Sequence, residues 1–150
     1  MQMRREYAYY AGSDPDYDLV PEIEKAINGQ YGAIIAYARL AEEAPSEEEK
    51  KVILEIRGDE IRHYKVFSGI YYGLTKRRPA PQVTERFPLT YREGLEAAFK
   101  DEQETVDFYL DIADKARSPY IKQVFRRAAA DEQNHAVWFL YFYTRPVDRC

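Results

Sequence analysis

The second half of this chain repeats the first at an offset of 72 positions, the distance from Glu60 to Glu132, and that repeat limits what the chain can build. Without a gap, Glu24, Tyr37, Ala41, Ala44, Ser46, Lys50, Asp59, Glu60, His63 and Phe67 meet Glu96, Tyr109, Ala113, Ala116, Ser118, Lys122, Asp131, Glu132, His135 and Phe139. A period this long, present twice, does not suit a solenoid, which needs at least three stacked repeats. It suits two copies of one helical hairpin closed on each other as a bundle with pseudo-two-fold symmetry.

Start and stop signals divide each copy into two helices. Pro21 fits a first helical turn, and the apolar period runs on to Ala44, where Pro45 stops it. Ser46-Glu47-Glu48-Glu49 reads as a capping box opening a second helix that lasts to about Leu74. Thr90-Tyr91-Arg92-Glu93 opens a third in the same way, ending near Arg117. Ser118-Pro119 supplies an N-cap and a proline at the first position of a fourth, which reaches about Tyr143.

The connections at 45–46 and 117–118 are tight, so each pair must be antiparallel. Between the pairs, Thr75 to Leu89 carries Pro79, Pro81 and Pro88. Fifteen extended residues reach about 50 Å and a 25-residue helix is about 38 Å long, so this segment can traverse the whole bundle. The predicted fold is all-α: a four-helix bundle of two repeated antiparallel pairs joined by one long crossover. Its domain spans residues 19–144, preceded by an irregular tyrosine-rich segment (1–18) and followed by a short tail (145–150).

The inward stripes of the helices contain polar residues where a core should be apolar. The second helix reads Ile53, Ile56, Glu60, His63, Phe67, Ile70, Leu74, and the fourth reads Ile121, Phe125, Ala128, Glu132, His135, Phe139, Phe142. His63 and His135 are the only histidines, and each stands three residues after a glutamate, on the same helical face. The first and third helices place Gln30 and Glu102 at equivalent repeat positions, midway along their own stripes. Gln30, Glu60, His63, Glu102, Glu132 and His135 are thus predicted to converge on one level of the core.

Burying three ionised carboxylates together costs several kcal/mol per ion unless counter-charge is present. Two histidines cannot supply enough, whereas divalent cations can. An oxygen-rich set with two imidazoles suits iron or manganese better than a tetrahedral zinc site. Around the six, Tyr37 and Tyr109 lie seven residues after Gln30 and Glu102 and could hydrogen-bond a ligand carboxylate, or serve as ordinary core aromatics. Asp59 and Asp131 could each accept a hydrogen from the imidazole of the opposite motif, or pair with a flanking cation such as Arg62.

Composition narrows the setting. A net charge of −4 with pI near 5.3 argues against a nucleic-acid partner, and the one basic cluster, Lys76-Arg77-Arg78, reads as solvated surface. No apolar run approaches a membrane span, and the start lacks the apolar stretch of a signal peptide. With Cys150 the lone cysteine, a reducing compartment is the natural reading and the cytoplasm the expected address. Tyr7, Tyr9, Tyr10 and Tyr17 look like contact material, so a homodimer is expected.

Over about residues 20–143 the chain resembles the ferritin-like di-iron carboxylate superfamily and, within it, the rubrerythrin-like proteins. The resemblance rests on Glu102, Glu60-Ile-Arg-His63 and Glu132-Gln-Asn-His135, a glutamate facing two Glu-x-x-His motifs. It implies a ferritin-like bundle holding two iron ions, and activities of the family: oxidation of Fe(II) by O₂ or peroxide, peroxide reduction, or storage. Three residue patterns depart from it. Gln30 stands where the family usually has a first-helix glutamate, and Thr105 where rubrerythrins carry an extra one. There is no Cys-x-x-Cys pair and so no rubredoxin module, which calls for an external electron donor. Lacking a fifth helix, the chain points away from cage storage. The expected function is that of an oxidoreductase on peroxide or O₂, the alternative a metal-sequestering protein with little turnover.

Overall fold

The computed structural model describes residues 14–83, 86–88 and 90–146. Among them lie four long helices and no strand: α1 (Val20–Glu43), α2 (Glu47–Thr75), α3 (Tyr91–Lys115) and α4 (Pro119–Thr144), with a 3₁₀ turn at Tyr17–Leu19 leading into α1. Each helix begins and ends within two residues of its expected position, because caps and prolines act locally. Thr90 makes the predicted capping box, its hydroxyl accepting from Glu93 N while the Glu93 carboxylate accepts from Thr90 N. At α2 the box is half made: Ser46 accepts from Glu49 N, but the Glu49 carboxylate accepts from the Ser46 hydroxyl instead of the backbone. α3 stops at Lys115, two residues short of expectation, because Ala116 is already extended.

Contacts at the helix ends fix the topology. α1 and α3 are antiparallel neighbours: Lys115 Nζ donates to Glu22 at 2.8 Å, tying the end of α3 to the start of α1. Arg92 donates to the Tyr143 carbonyl and Arg145 to Glu48, which sets α3 and α2 antiparallel to α4. The crossover therefore returns the chain from the end of α2 to the opposite end of the bundle. The two hairpins, α1 with α2 and α3 with α4, pack far more closely within themselves than against each other.

The apolar interior is divided in two. One cluster holds Ile23, Ile27, Phe67, Ile70, Tyr109, Ile112 and Phe125; the other holds Tyr37, Leu40, Ile53, Ile56, Leu95, Phe139 and Phe142. Along α2, Glu60 and His63 fall between Ile56 and Phe67, and along α4 Glu132 and His135 fall between Ala128 and Phe139, so a polar layer separates the clusters. Aromatic contacts stiffen its borders: Phe67 stacks on Phe125 at 4.4 Å, and Tyr37 meets Phe139 at 5.1 Å.

The stretch before α1 is partly structural, which its aperiodic sequence did not suggest. Asp16 is 1% exposed, and its carboxylate accepts from the backbone N–H groups of Arg117 (2.8 Å) and Ser118 (2.9 Å) in the α3–α4 turn. Asp16→Ala would leave both donors unpaired, so we expect about 1–3 kcal/mol lost in urea unfolding; a loss within 0.5 kcal/mol would mean that water satisfies the turn. Tyr7, Tyr9, Tyr10 and Cys150 lie outside the described residues.

Candidate metal centre

Because α2 and α4 each carry their Glu and His one turn apart, packing them side by side brings four such groups to one level, and α1 and α3 add one each. Gln30, Glu60, His63, Glu102, Glu132 and His135 are all buried. Glu60, Glu102, Glu132 and His135 offer ligand atoms within 4.8 Å of one another. His135 Nδ1 lies 2.8 Å from Glu60 and 3.8 Å from Glu102, while His63 Nδ1 lies 3.0 Å from Glu132 and 3.7 Å from Glu60. The cluster thus has two lobes, one at each imidazole, with Glu60 and Glu132 between them.

The other ring nitrogen of each histidine is engaged across the bundle. His135 Nε2 stands 2.9 Å from Asp59, and His63 Nε2 3.0 Å from Asp131. Ionised aspartates only accept, so each holds a hydrogen on Nε2 and leaves Nδ1 turned toward the glutamates. The flanking cation expected at Asp59 is present too, Arg62 at 2.8 Å, and Arg127 plays the same part at Asp131, 3.0 Å away. Burial works against charge on Asp59, but His135 and Arg62 outweigh it and hold its carboxyl below the usual range.

The tyrosines break the pseudo-symmetry. Tyr37 donates to Glu102 Oε1 at 2.5 Å, whereas Tyr109 accepts from the Gln30 amide and reaches no carboxylate. The physical cause is that an amide has hydrogens to donate and a carboxylate has none. Gln30 Oε1 is left without a hydrogen-bond partner in the protein. Thr105 donates to the Asp101 carbonyl on its own helix, 2.8 Å away.

Electrostatics reveal how poorly the protein alone satisfies this cluster. Burial, reinforced by the charges of Glu60 and Glu102, pushes the Glu132 carboxyl well above its ordinary range. Burial opposes charge on His135, but Glu102 and Glu60 outweigh it and raise its pKa to about 11. The Nδ1 atoms of His135 and His63 meet Glu60 Oε1 and Glu132 Oε1 as buried ion pairs, while Glu60 Oε2, Glu102 Oε2 and Gln30 Oε1 are buried without a hydrogen-bond partner in the protein. Buried polar atoms are rarely left so. These carboxylate and amide oxygens, together with the two imidazoles once they give up their protons, form a donor set that fits divalent cations of the iron or manganese type.

A cleft of about 630 Å³ opens onto this level between α1 and α3, and Gln30, Glu60, Glu102 and Glu132 line its inner end. Its walls include Gly29, Gly32, Ala33 and Ala36 of α1, Ala97 and Ala98 of α3, and Val83, Phe87 and Pro88 of the crossover. Sequence reading missed this feature, yet a signal existed: a glycine inside a helix costs roughly 1 kcal/mol relative to alanine, and α1 carries two.

An all-α bundle with this connectivity and a buried Glu/His cluster at its centre is a ferritin-like carboxylate protein. The sequence profile of the Rubrerythrin family matches residues 93–146, which include Glu102, Glu132 and His135. The chain is 52% identical over 139 residues to the uncharacterized protein YhjR of Bacillus subtilis (strain 168), spanning 91% of this chain and 96% of that one. Its fold is similar to that of a hypothetical protein from Pyrococcus furiosus, with a TM-score of 0.71 and 22% identity over 85% of this chain and 89% of that one. Over residues 93–146 the chain is a Rubrerythrin-family domain of the ferritin-like fold, and along nearly its whole length it belongs to one family with YhjR.

Proposed function

We propose that the protein is an oxidoreductase that reduces peroxide or O₂ at a pair of iron ions held by Gln30, Glu60, His63, Glu102, Glu132 and His135. The observation that carries this is the set of buried carboxylate, amide and imidazole atoms that six residues from four helices turn toward one another, several of them without a partner in the protein. When bound, two Fe(II) ions would supply the two electrons that convert a peroxide to water, and Lewis acidity at the reacting oxygen. Asp59 and Asp131 fix the imidazoles so that each Nδ1 faces the glutamates. Tyr37 occupies Glu102 Oε1 and thereby leaves Oε2 as the free ligand atom. The apolar clusters close the layer above and below, and the α1–α3 cleft provides entry from the side.

Anaerobic Fe(II) titration should saturate near two equivalents per chain, and peroxide should then be consumed over many turnovers when an external electron donor is added. A single stoichiometric oxidation, with no turnover under any reductant, would leave sequestration as the function. No helix among the described residues is long and apolar enough to cross a membrane; the proposed setting is the cytoplasm. Val137, Leu140 and Tyr141 form an exposed apolar face on α4 and favour a homodimer. Light scattering should give twice the chain mass, and a monomer at 100 µM would dismiss it.

A further inference from the structure

The cleft is far larger than peroxide or O₂ requires. Water occupies about 30 Å³ of liquid, so 630 Å³ would hold some twenty such molecules and falls in the range of sites that take an organic ligand. Its α1 wall is kept open by residue choice: a Cβ built on Gly29 or Gly32 would meet nothing within 4 Å, so no neighbouring element demands glycine there. At the inner end the buried Gln30 Oε1 lacks a partner. Gln30 is also the one neutral oxygen donor of the set, so two divalent ions would face three carboxylates, and one positive charge would stay uncompensated. An anion is wanted at the inner end of a cleft whose α1 wall, Gly29, Gly32, Ala33 and Ala36, is apolar. The mouth does not repel one, since Lys25, Arg86 and Lys100 line it together with Asp101 and Glu104.

We propose that the α1–α3 cleft binds a monocarboxylate with an apolar tail. Its head group stands at the Gln30 end as the fourth carboxylate of the centre, and its tail lies along Gly29, Gly32, Ala36 and Phe87. This rests on the metal centre proposed above. A glutamate at position 30 would supply the charge from within and make the outside carboxylate redundant. Glutamine leaves that role to a ligand, and the open helix face gives the ligand room.

The test uses the full chain loaded anaerobically with Mn(II), the metal content measured first, followed by calorimetric titration with acetate and with octanoate. Each methylene buried along the cleft adds roughly fourfold in affinity, so octanoate is expected to bind about fiftyfold or more tighter than acetate. Gly32→Leu, whose side chain enters open space, should erase that advantage and keep acetate binding; Gly32→Ala should retain most of it. Gln30→Glu should weaken both carboxylates while keeping two metal equivalents. Equal or absent binding of the two carboxylates by protein holding two Mn(II) overturns the proposal and leaves the metal centre standing. Octanoate binding unchanged in metal-free protein, or in Gly32→Leu, also overturns it. Protein that takes up no metal overturns the centre itself and this inference with it.

Discussion

Anaerobic Fe(II) or Mn(II) will raise the melting temperature of the metal-free protein by roughly 10–15 °C, and Glu132→Ala will abolish the rise. The size follows from mass action. A ligand at a thousandfold excess over its Kd contributes about 4 kcal/mol, and for a domain of this size each kcal/mol moves Tm by about 2–4 °C. The direction follows from the layer between the two apolar clusters, where Glu60, Glu102 and Glu132 are each at most 2% exposed. Without cations their charges must be relieved by protons or by the two imidazoles, and Glu60 Oε2 and Glu102 Oε2, buried without a hydrogen-bond partner, show that this relief is incomplete. Glu132 is the sharpest probe because it stands between the two lobes, 3.0 Å from His63 and 3.9 Å from His135. Its removal also takes from His63 Nδ1 its buried partner, so the readout is the metal-induced rise within each protein and not the melting temperature of the metal-free variant. Identical melting of the parent with and without metal would show that the layer binds none.

Much of this was legible in the residues because helices announce themselves locally. Thr90 and Ser118 cap the helices that they were expected to cap, and the stripe through Ile53, Ile56, Phe67 and Ile70 is buried along its length. The convergence of Glu60, His63, Glu132 and His135 was readable because a 72-residue repeat of rigid rods leaves little freedom in how equivalent positions meet. What stayed hidden depends on where rods diverge or on single hydrogen bonds. Ala33 and Thr105, one turn beyond Gln30 and Glu102, line the cleft, because α1 and α3 stand apart there. Asp16 carries no periodic signal, and its role exists only once the α3–α4 turn is folded beside it. Tyr109 was placed by symmetry with Tyr37, but the symmetry stops at position 30, where an amide donates and a carboxylate would accept.

Metal affinity will climb steeply with pH between 6 and 8.5, because the metal-free cluster holds protons where the metals would sit. His135, raised to about 11, is protonated throughout that window, and Glu132 is shifted upward by burial and by its neighbours Glu60 and Glu102. Ligation needs the lone pair of His135 Nδ1 and the charge of Glu132, so binding must expel the protons these groups carry. Each proton released makes affinity rise about tenfold per pH unit. Stability should follow the same sign. A group whose folded pKa is raised stabilises the metal-free fold fully below its unfolded value and loses that contribution as pH rises toward the folded one. For His135 this loss spans pH 6.5 to about 11, and for Glu132 it begins above 4.5. The metal-free protein should therefore weaken as pH rises while the loaded protein does not, and the metal-induced Tm shift should be larger at pH 8.5 than at pH 6. Calorimetry in two buffers of different ionisation enthalpy counts the protons directly. A count of zero, with a Tm shift independent of pH, would mean that the metals bind elsewhere than on His135 and Glu132.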